Sequence, residues 1–248
     1  MLRSEWVIAA AMVAGFATMT PPVTEGAGQG GSELSFSRTK ILIEFNASAE
    51  DVGVQVLLDG EPWENVAIFG PDDRKILDVV GQSSLLTQGL TELFFESSEP
   101  SLEEVSLDEF FERFPEGEYE FEGETVDGIA LAGTAMLSHD IPSGPEILAP
   151  VSHTESPPVV NPLTMLIQWE PVTESIDGER VEIIAYEVIV EQVDPRRIFD
   201  IVLPASVTSL VVPPEFFVQR NTEHKFEVLA IEESGNQTIT EGSFVTAP

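Results

Sequence analysis

From Pro145 to the carboxyl terminus the chain is a succession of seven short apolar runs separated by turn residues. They are EILAPV, LTMLIQWEPV, IIAYEVIVEQ, IFDIVLP, TSLVVPP, HKFEVLAIEES and QTITEGSFVT. Each is rich in β-branched or aromatic residues, and a period of two puts alternate side chains on one buried face. Seven strands within about 100 residues is what a single β-sandwich requires. No helical period interrupts this half, so an all-β fold is expected for it.

The preceding stretch reads in the same way, with one exception. KILIEFNA (40–47) and VGVQVLL (52–58) alternate as strands, and Asp59-Gly60 is a turn signal. WENVAIFG, the turn PDDR, KILDVV and a buried strand in LTELFFES (90–97) follow. The exception is LDEFFERF. Ser106 with Glu109 makes a capping box, and Val105 with Phe110 makes the flanking hydrophobic staple. Leu107, Phe110, Phe111 and Phe114 recur at helical spacing and predict one apolar stripe turned to the core. Pro115 and Gly117 end the helix. A hairpin around Asp127-Gly128 closes this half, with Tyr119 and Phe121 on one face and Glu118, Glu120 and Glu122 on the other. Its strand spacing loosely resembles immunoglobulin-like folds. IPSGPEILAP (141–150), with three prolines, reads as a short semi-rigid join.

The order of motifs in the second half resembles the fibronectin type III module. LIQWEPV is similar to that family's second strand with its core tryptophan, here Trp169. IAYEVIVEQ is similar to the third strand with its buried tyrosine, Tyr186. KFEVLAIEESGNQT is similar to the sixth strand, beginning near Phe226, with a Gly-Asn turn into the last. The resemblance implies a core built on Trp169, Tyr186 and Phe226. It also implies a tyrosine corner at the start of the sixth strand, where this chain has His224, and His224 is expected to be a structural corner residue. No Arg-Gly-Asp triplet is present, so the resemblance carries no integrin-type adhesion.

The chain is therefore expected to be all-β, two tandem β-sandwich domains, the first with one short helix inserted and the second fibronectin type III-like. The expected boundaries are 1–29 for a signal peptide and Gly-rich spacer, 30–142 for the first sandwich with its helix near 107–114, and 143–248 for the second. Residues 1–29 carry Arg3, an apolar run from Trp6 to Phe16 and then small residues, the layout of a secretory signal. An uncleaved anchor is the other reading, although the run is shorter than the ~20 residues that span a bilayer. A secreted, periplasmic or cell-surface location follows, with no membrane span in the mature chain.

The chain has no cysteine, so disulfides, thiol catalysis and cysteine metal sites are all excluded. The 44 Asp and Glu against 11 Lys and Arg give a formal charge of −33. Residues 30–142 carry 25 acids and 5 bases (−20), and residues 143–248 carry 17 and 5 (−12). Such a surface repels nucleic acid and anionic lipid and favours a dispersed monomer. Of the acids, 33 are Glu, and PDDRK and SIDGE lack the spaced carboxylates of a calcium loop, so both are read as turns.

No catalytic constellation is apparent. His139, His153 and His224 lack metal-ligand partners at i+2 or i+4, and there is no G-x-S-x-G elbow or phosphate loop. No catalytic, cofactor or metal residues are assigned, and no cofactor is expected. Trp169, Tyr186, His224, Phe226, Phe110, Phe111 and Phe114 are assigned to structural cores. The expected function is a non-enzymatic structural or binding protein whose partner is a surface protein or glycan. The alternative is an accessory substrate-binding or carboxylate-based hydrolytic protein, with its site in the first domain near the helix and LTELFFES.

Overall fold

The computed structural model describes residues 33–151 and 156–248. The expected signal peptide and His153 lie outside the described residues. In the first half the strands are β1 (Leu34–Ser35), β2 (Arg38–Asn46), β3 (Asp51–Phe69), β4 (Lys75–Val80), β5 (Leu90–Glu96), β6 (Gly117–Thr125) and β7 (Ala130–Leu137). Two helices interrupt them, α1 (Ser84–Gln88) and α2 (Leu107–Arg113).

Strand β3 is the organiser of this half. Its first part, Asp51 to Asp59, runs between β2 and β5, and its second part, from Trp63, runs between β4 and β6. The expected turn at Asp59-Gly60 is thus a bend within one continuous strand. Gly60 is needed for a close approach rather than for a reversal. A Cβ there would stand 2.9 Å from Cδ1 of the Phe36 ring, which also lies against Gly123 and Gly133. The bend lets one strand serve two layers, with Ile41, Ile43, Val54, Val56, Trp63 and Phe121 buried between them.

Helix α2 forms where the capping box predicts. The Ser106 Oγ accepts from the Glu109 amide at 3.2 Å, and Phe110 is buried while Phe111 and Phe114 are half-buried against the same core. Helix α1 is an addition to the expected single helix. It buries no residue and has no side-chain cap, so neither periodicity nor capping announced it. Strand β5 is not the buried strand expected. It pairs only with β3, and its apolar residues Leu90, Leu93 and Phe95 reach the core only half-buried, while Phe94 is 36% exposed.

In the second half the strands are β8 (Ile147–Ala149), β9 (Val159–Val160), β10 (Leu166–Trp169), β11 (Ile183–Gln192), β12 (Arg197–Pro204), β13 (Ser209–Val211), β14 (Glu223–Glu232) and β15 (Gln237–Thr246). Strands β8, β10 and β13 make one sheet, and β12, β11, β14 and β15 line up in the other. Trp169, Tyr186, Phe226 and Phe244 fill the space between, with the Trp169 and Tyr186 rings edge to face at 5.3 Å. A single 3₁₀ turn at 214–216 is the one departure from pure strand here among the described residues.

The first half repeats this connectivity. Its β2, first part of β3 and β5 correspond to β8, β10 and β13. Its β4, second part of β3, β6 and β7 correspond to β12, β11, β14 and β15. In each half a two-residue strand adds in parallel to the last strand, β1 to β7 and β9 to β15. The fold is all-β, of sandwich type.

The two halves share a sheet. Strand β15 pairs in parallel with β2, with Gln237, Thr238 and Ile239 opposite Glu44, Phe45 and Asn46, and the Ala47 amide donates to the Ile239 carbonyl at 2.9 Å. Each strand would otherwise present an unpaired edge, which invites aggregation. Asn236 locks the seam. Its Oδ1 accepts from the Ile43 amide at 2.8 Å, and its Nδ2 donates to the carbonyls of Ser138 and Asp140 at 3.0 and 3.2 Å. The described residues form one compact unit.

Candidate functional site: a carboxylate cluster at the seam

The period of two puts Ile41, Ile43 and Phe45 of β2 into the first core, so Lys40, Leu42 and Glu44 face the other way. That outward face continues across the seam through Gln237 and Ile239 of β15, Glu227 and Leu229 of β14, and Glu187 of β11. On the other side it continues through Gly53 and Gln55 of β3 to Glu96 of β5. A flat sheet would leave this face open, yet Glu44, Glu187, Leu42, Leu229 and Ile239 are all buried. Glu96 of β5 and Glu227 of β14 both add charge to this face, Glu96 being among the carboxylates that raise Glu227.

Glu44 is the centre of the cluster and is 2% exposed. Its Oε2 accepts hydrogen bonds from the amides of Gln55, at 2.8 Å, and of Gln237 across the seam. Its Oε1 is buried and has no hydrogen-bond donor. The Gln55 amide also reaches Glu96 at 3.2 Å. Glu99 folds back over β3 above Gly53, where a Cβ would stand 2.8 Å from the Glu99 Cγ. Oxygen atoms of Glu44, Glu96 and Glu99 all lie within 4.8 Å of one another. Burial, and then the neighbouring carboxylates, raise Glu44 well above the ordinary range and Glu99 to about 8. The same causes push Glu227 to about 7, and burial with the adjacent Asp200 pushes Glu187 to about 9. This set of hard oxygens is the place among the described residues where a metal ion could be held.

The residues singled out from sequence lie elsewhere. Trp169, Tyr186 and Phe226 line the second core, and Phe110, Phe111 and Phe114 pack with the first. The Tyr186 hydroxyl accepts from the Val172 amide at 2.8 Å. His224 is fully buried at the start of β14, stacked on Phe244 at 5.1 Å and edge-on to Phe217. Its Nδ1 faces the Thr222 carbonyl at 3.0 Å and must carry the proton, which leaves Nε2 as an acceptor without a donor. The first half has a tyrosine at the equivalent corner. Tyr119 at the start of β6 donates to the Pro115 carbonyl at 3.1 Å, four residues upstream. His139 stacks on Phe111 at 3.9 Å, and its Nε2 lies 2.8 Å from the Phe114 carbonyl. Neither histidine approaches the carboxylate cluster through a hydrogen bond seen here.

Sequence reasoning did not single out Glu44, Glu96 or Glu99. In a chain with 44 acids none stands out by composition. Glu44 reads as an exposed strand residue until the partner half is placed beside it. Glu96 does fall within LTELFFES, the segment named for the alternative function.

No family model matches the chain, and a search of curated proteins finds no match. Among solved structures it is similar to the FN1–FN3 domains of chicken CNTN1, at 12% identity and a TM-score of 0.32, covering 91% of this chain and 67% of that one. It is similar to a two-domain fibronectin type III segment of chicken tenascin, at 9% identity and a TM-score of 0.29, covering 85% and 99%. A third is a tetra-tandem repeat in the extending region of a large adhesion protein, at 11% identity and a TM-score of 0.30, covering 84% and 49%.

Proposed function

We propose that the chain is an exported, acidic, non-enzymatic structural protein whose two sandwich modules, 30–142 and 143–248, act as one rigid spacer presenting a surface to a protein or glycan. The observation that supports this is the β2–β15 seam. Tandem domains on a linker move independently unless their interface is extensive, whereas a shared sheet with buried polar locks such as Asn236 fixes their relation. The apolar run from Trp6 to Phe16 supports export. Nitrogen-15 relaxation on the full chain tests the spacer reading. One rotational correlation time for both halves is expected, and two distinct times would remove it.

A second reading, a carboxylate-based hydrolase with its site near β5, is favoured by one observation. Glu99, raised to about 8, sits beside two further carboxyl groups, Glu96 and Glu44, and glycoside hydrolysis uses a raised carboxylic acid paired with a second carboxyl group. Against it, Glu44 is 2% exposed and sealed from any sugar ring. Reducing-sugar release from a polysaccharide panel decides. Release that Glu99→Gln abolishes would establish the hydrolase, and no release by the parent chain would dismiss it.

A further inference from the structure

We propose that Glu44, Glu96 and Glu99 bind one calcium ion, which staples the first sheet beneath the seam. The three carboxylates come from β2, the end of β5 and the segment after it, and their oxygens lie within 4.8 Å of one another. Two oxygens on opposite sides of a calcium ion, at about 2.4 Å each, are separated by about that distance. The group therefore spans a single ion.

Three further observations point to an occupant. The first is the unpartnered Oε1 of Glu44, on a side chain 2% exposed. Two glutamine amides hold the other oxygen in the acceptor role of a carboxylate, one of them Gln237 from the second half. A buried carboxylate oxygen with no donor is costly unless a cation or a proton meets it. The second is Asp51, on the same strand as Gln55 and among the charges acting on Glu99, whose Oδ1 is also buried without a donor. The third is Gly53, which leaves room for Glu99 to close over the strand; any side chain there would displace it.

The donor set selects the ion. Only hard oxygens are present, which excludes a preference for zinc or copper. Three converging carboxylates suit calcium, which takes 6–8 oxygens in flexible geometry, better than magnesium, which keeps most of its waters. No calcium-loop motif marks the site because its ligands come from separate strands. The C-terminal half contributes Gln237 as a positioning residue that orients Glu44 without touching the ion.

The test uses the full chain, stripped with a chelator and titrated with calcium chloride at constant ionic strength. A saturable rise in melting temperature is expected, about 5–10 °C at a hundredfold excess over the dissociation constant. Glu99→Gln and Gly53→Ala are expected to shift the titration midpoint at least tenfold, with far-ultraviolet circular dichroism unchanged. Terbium bound to the parent chain should emit by transfer from tryptophan or tyrosine and be displaced by calcium, a readout that needs no variant. No rise beyond a matched sodium chloride control would overturn the proposal. So would an equal rise in both variants, a response to magnesium alone, or terbium emission that calcium does not displace.

Discussion

Glu44 and Gln237 stand directly opposite each other in the parallel ladder between the chain's first long strand and its last, and the Gln237 amide donates to the Glu44 carboxylate. They are 193 residues apart in sequence and lie in different halves of the molecule. The pair sets the character of the seam. It is a polar join, in which the buried Glu44 takes donors from both halves.

Removing one side of this pair should therefore be felt. Gln237→Leu keeps the approximate volume but strips a donor from a buried carboxylate, for an expected loss of about 1–3 kcal/mol. Urea denaturation of both proteins in excess chelator measures it. Unchanged stability would mean that water reaches Glu44 in solution.

The Glu187–Asp200 pair makes a pH prediction. Glu187 is buried on β11, and its carboxyl is pushed up to about 9 from an ordinary value of 4.5 by burial and by Asp200. A folded-state value above the unfolded one means the stabilisation is fully present below about pH 4.5 and lost as pH rises toward 9. Glu187→Gln should leave stability near pH 4 almost unchanged, raise it at pH 8 and flatten the curve between. Parallel curves for the two proteins would show that Glu187 does not carry this dependence.

His224 predicts the opposite slope in acid. Burial holds its ring below the ordinary 6.5, against a smaller opposing effect of the Thr222 carbonyl. Its contribution is present above about pH 6.5 and is lost as pH falls toward the lower folded value. Imidazole nitrogen shifts should show a neutral ring protonated at Nδ1 and no titration near 6.5. A midpoint at or above 6.5 would place the ring in water.

Much of this architecture was legible in the residues. The period of two and the turn signals located the strands of the second half, and Ser106 with Glu109 marked α2. Individual patterns fail where the cause is distant. Asp59-Gly60 reads as a turn because Asp-Gly usually is one, and only the Phe36 ring packed on Gly60 shows why the strand continues. Glu44 reads as exposed because alternation describes one sheet at a time. Its burial comes in part from Gln237 of β15, nearly 200 residues downstream. The two sequons, Asn46-Ala47-Ser48 and Asn236-Gln237-Thr238, illustrate the same point. Both asparagines are buried, and Asn236 spends its amide on the seam rather than offering it to a glycan.

The formal charge of −33 is spread over both halves, so salt should stabilise the whole protein. Screening length falls from about 10 Å at 0.1 M to about 3 Å at 1 M. Melting temperature is expected to climb through that range in sodium chloride, with chelator present. A flat response would mean that repulsion between surface carboxylates is already relieved.

The central claim is that the two sandwiches are one cooperative body through the β2–β15 ladder. Differential scanning calorimetry of the full chain tests it most directly. A single transition whose calorimetric and van't Hoff enthalpies agree is predicted. Two resolved transitions, one for each half, would contradict it.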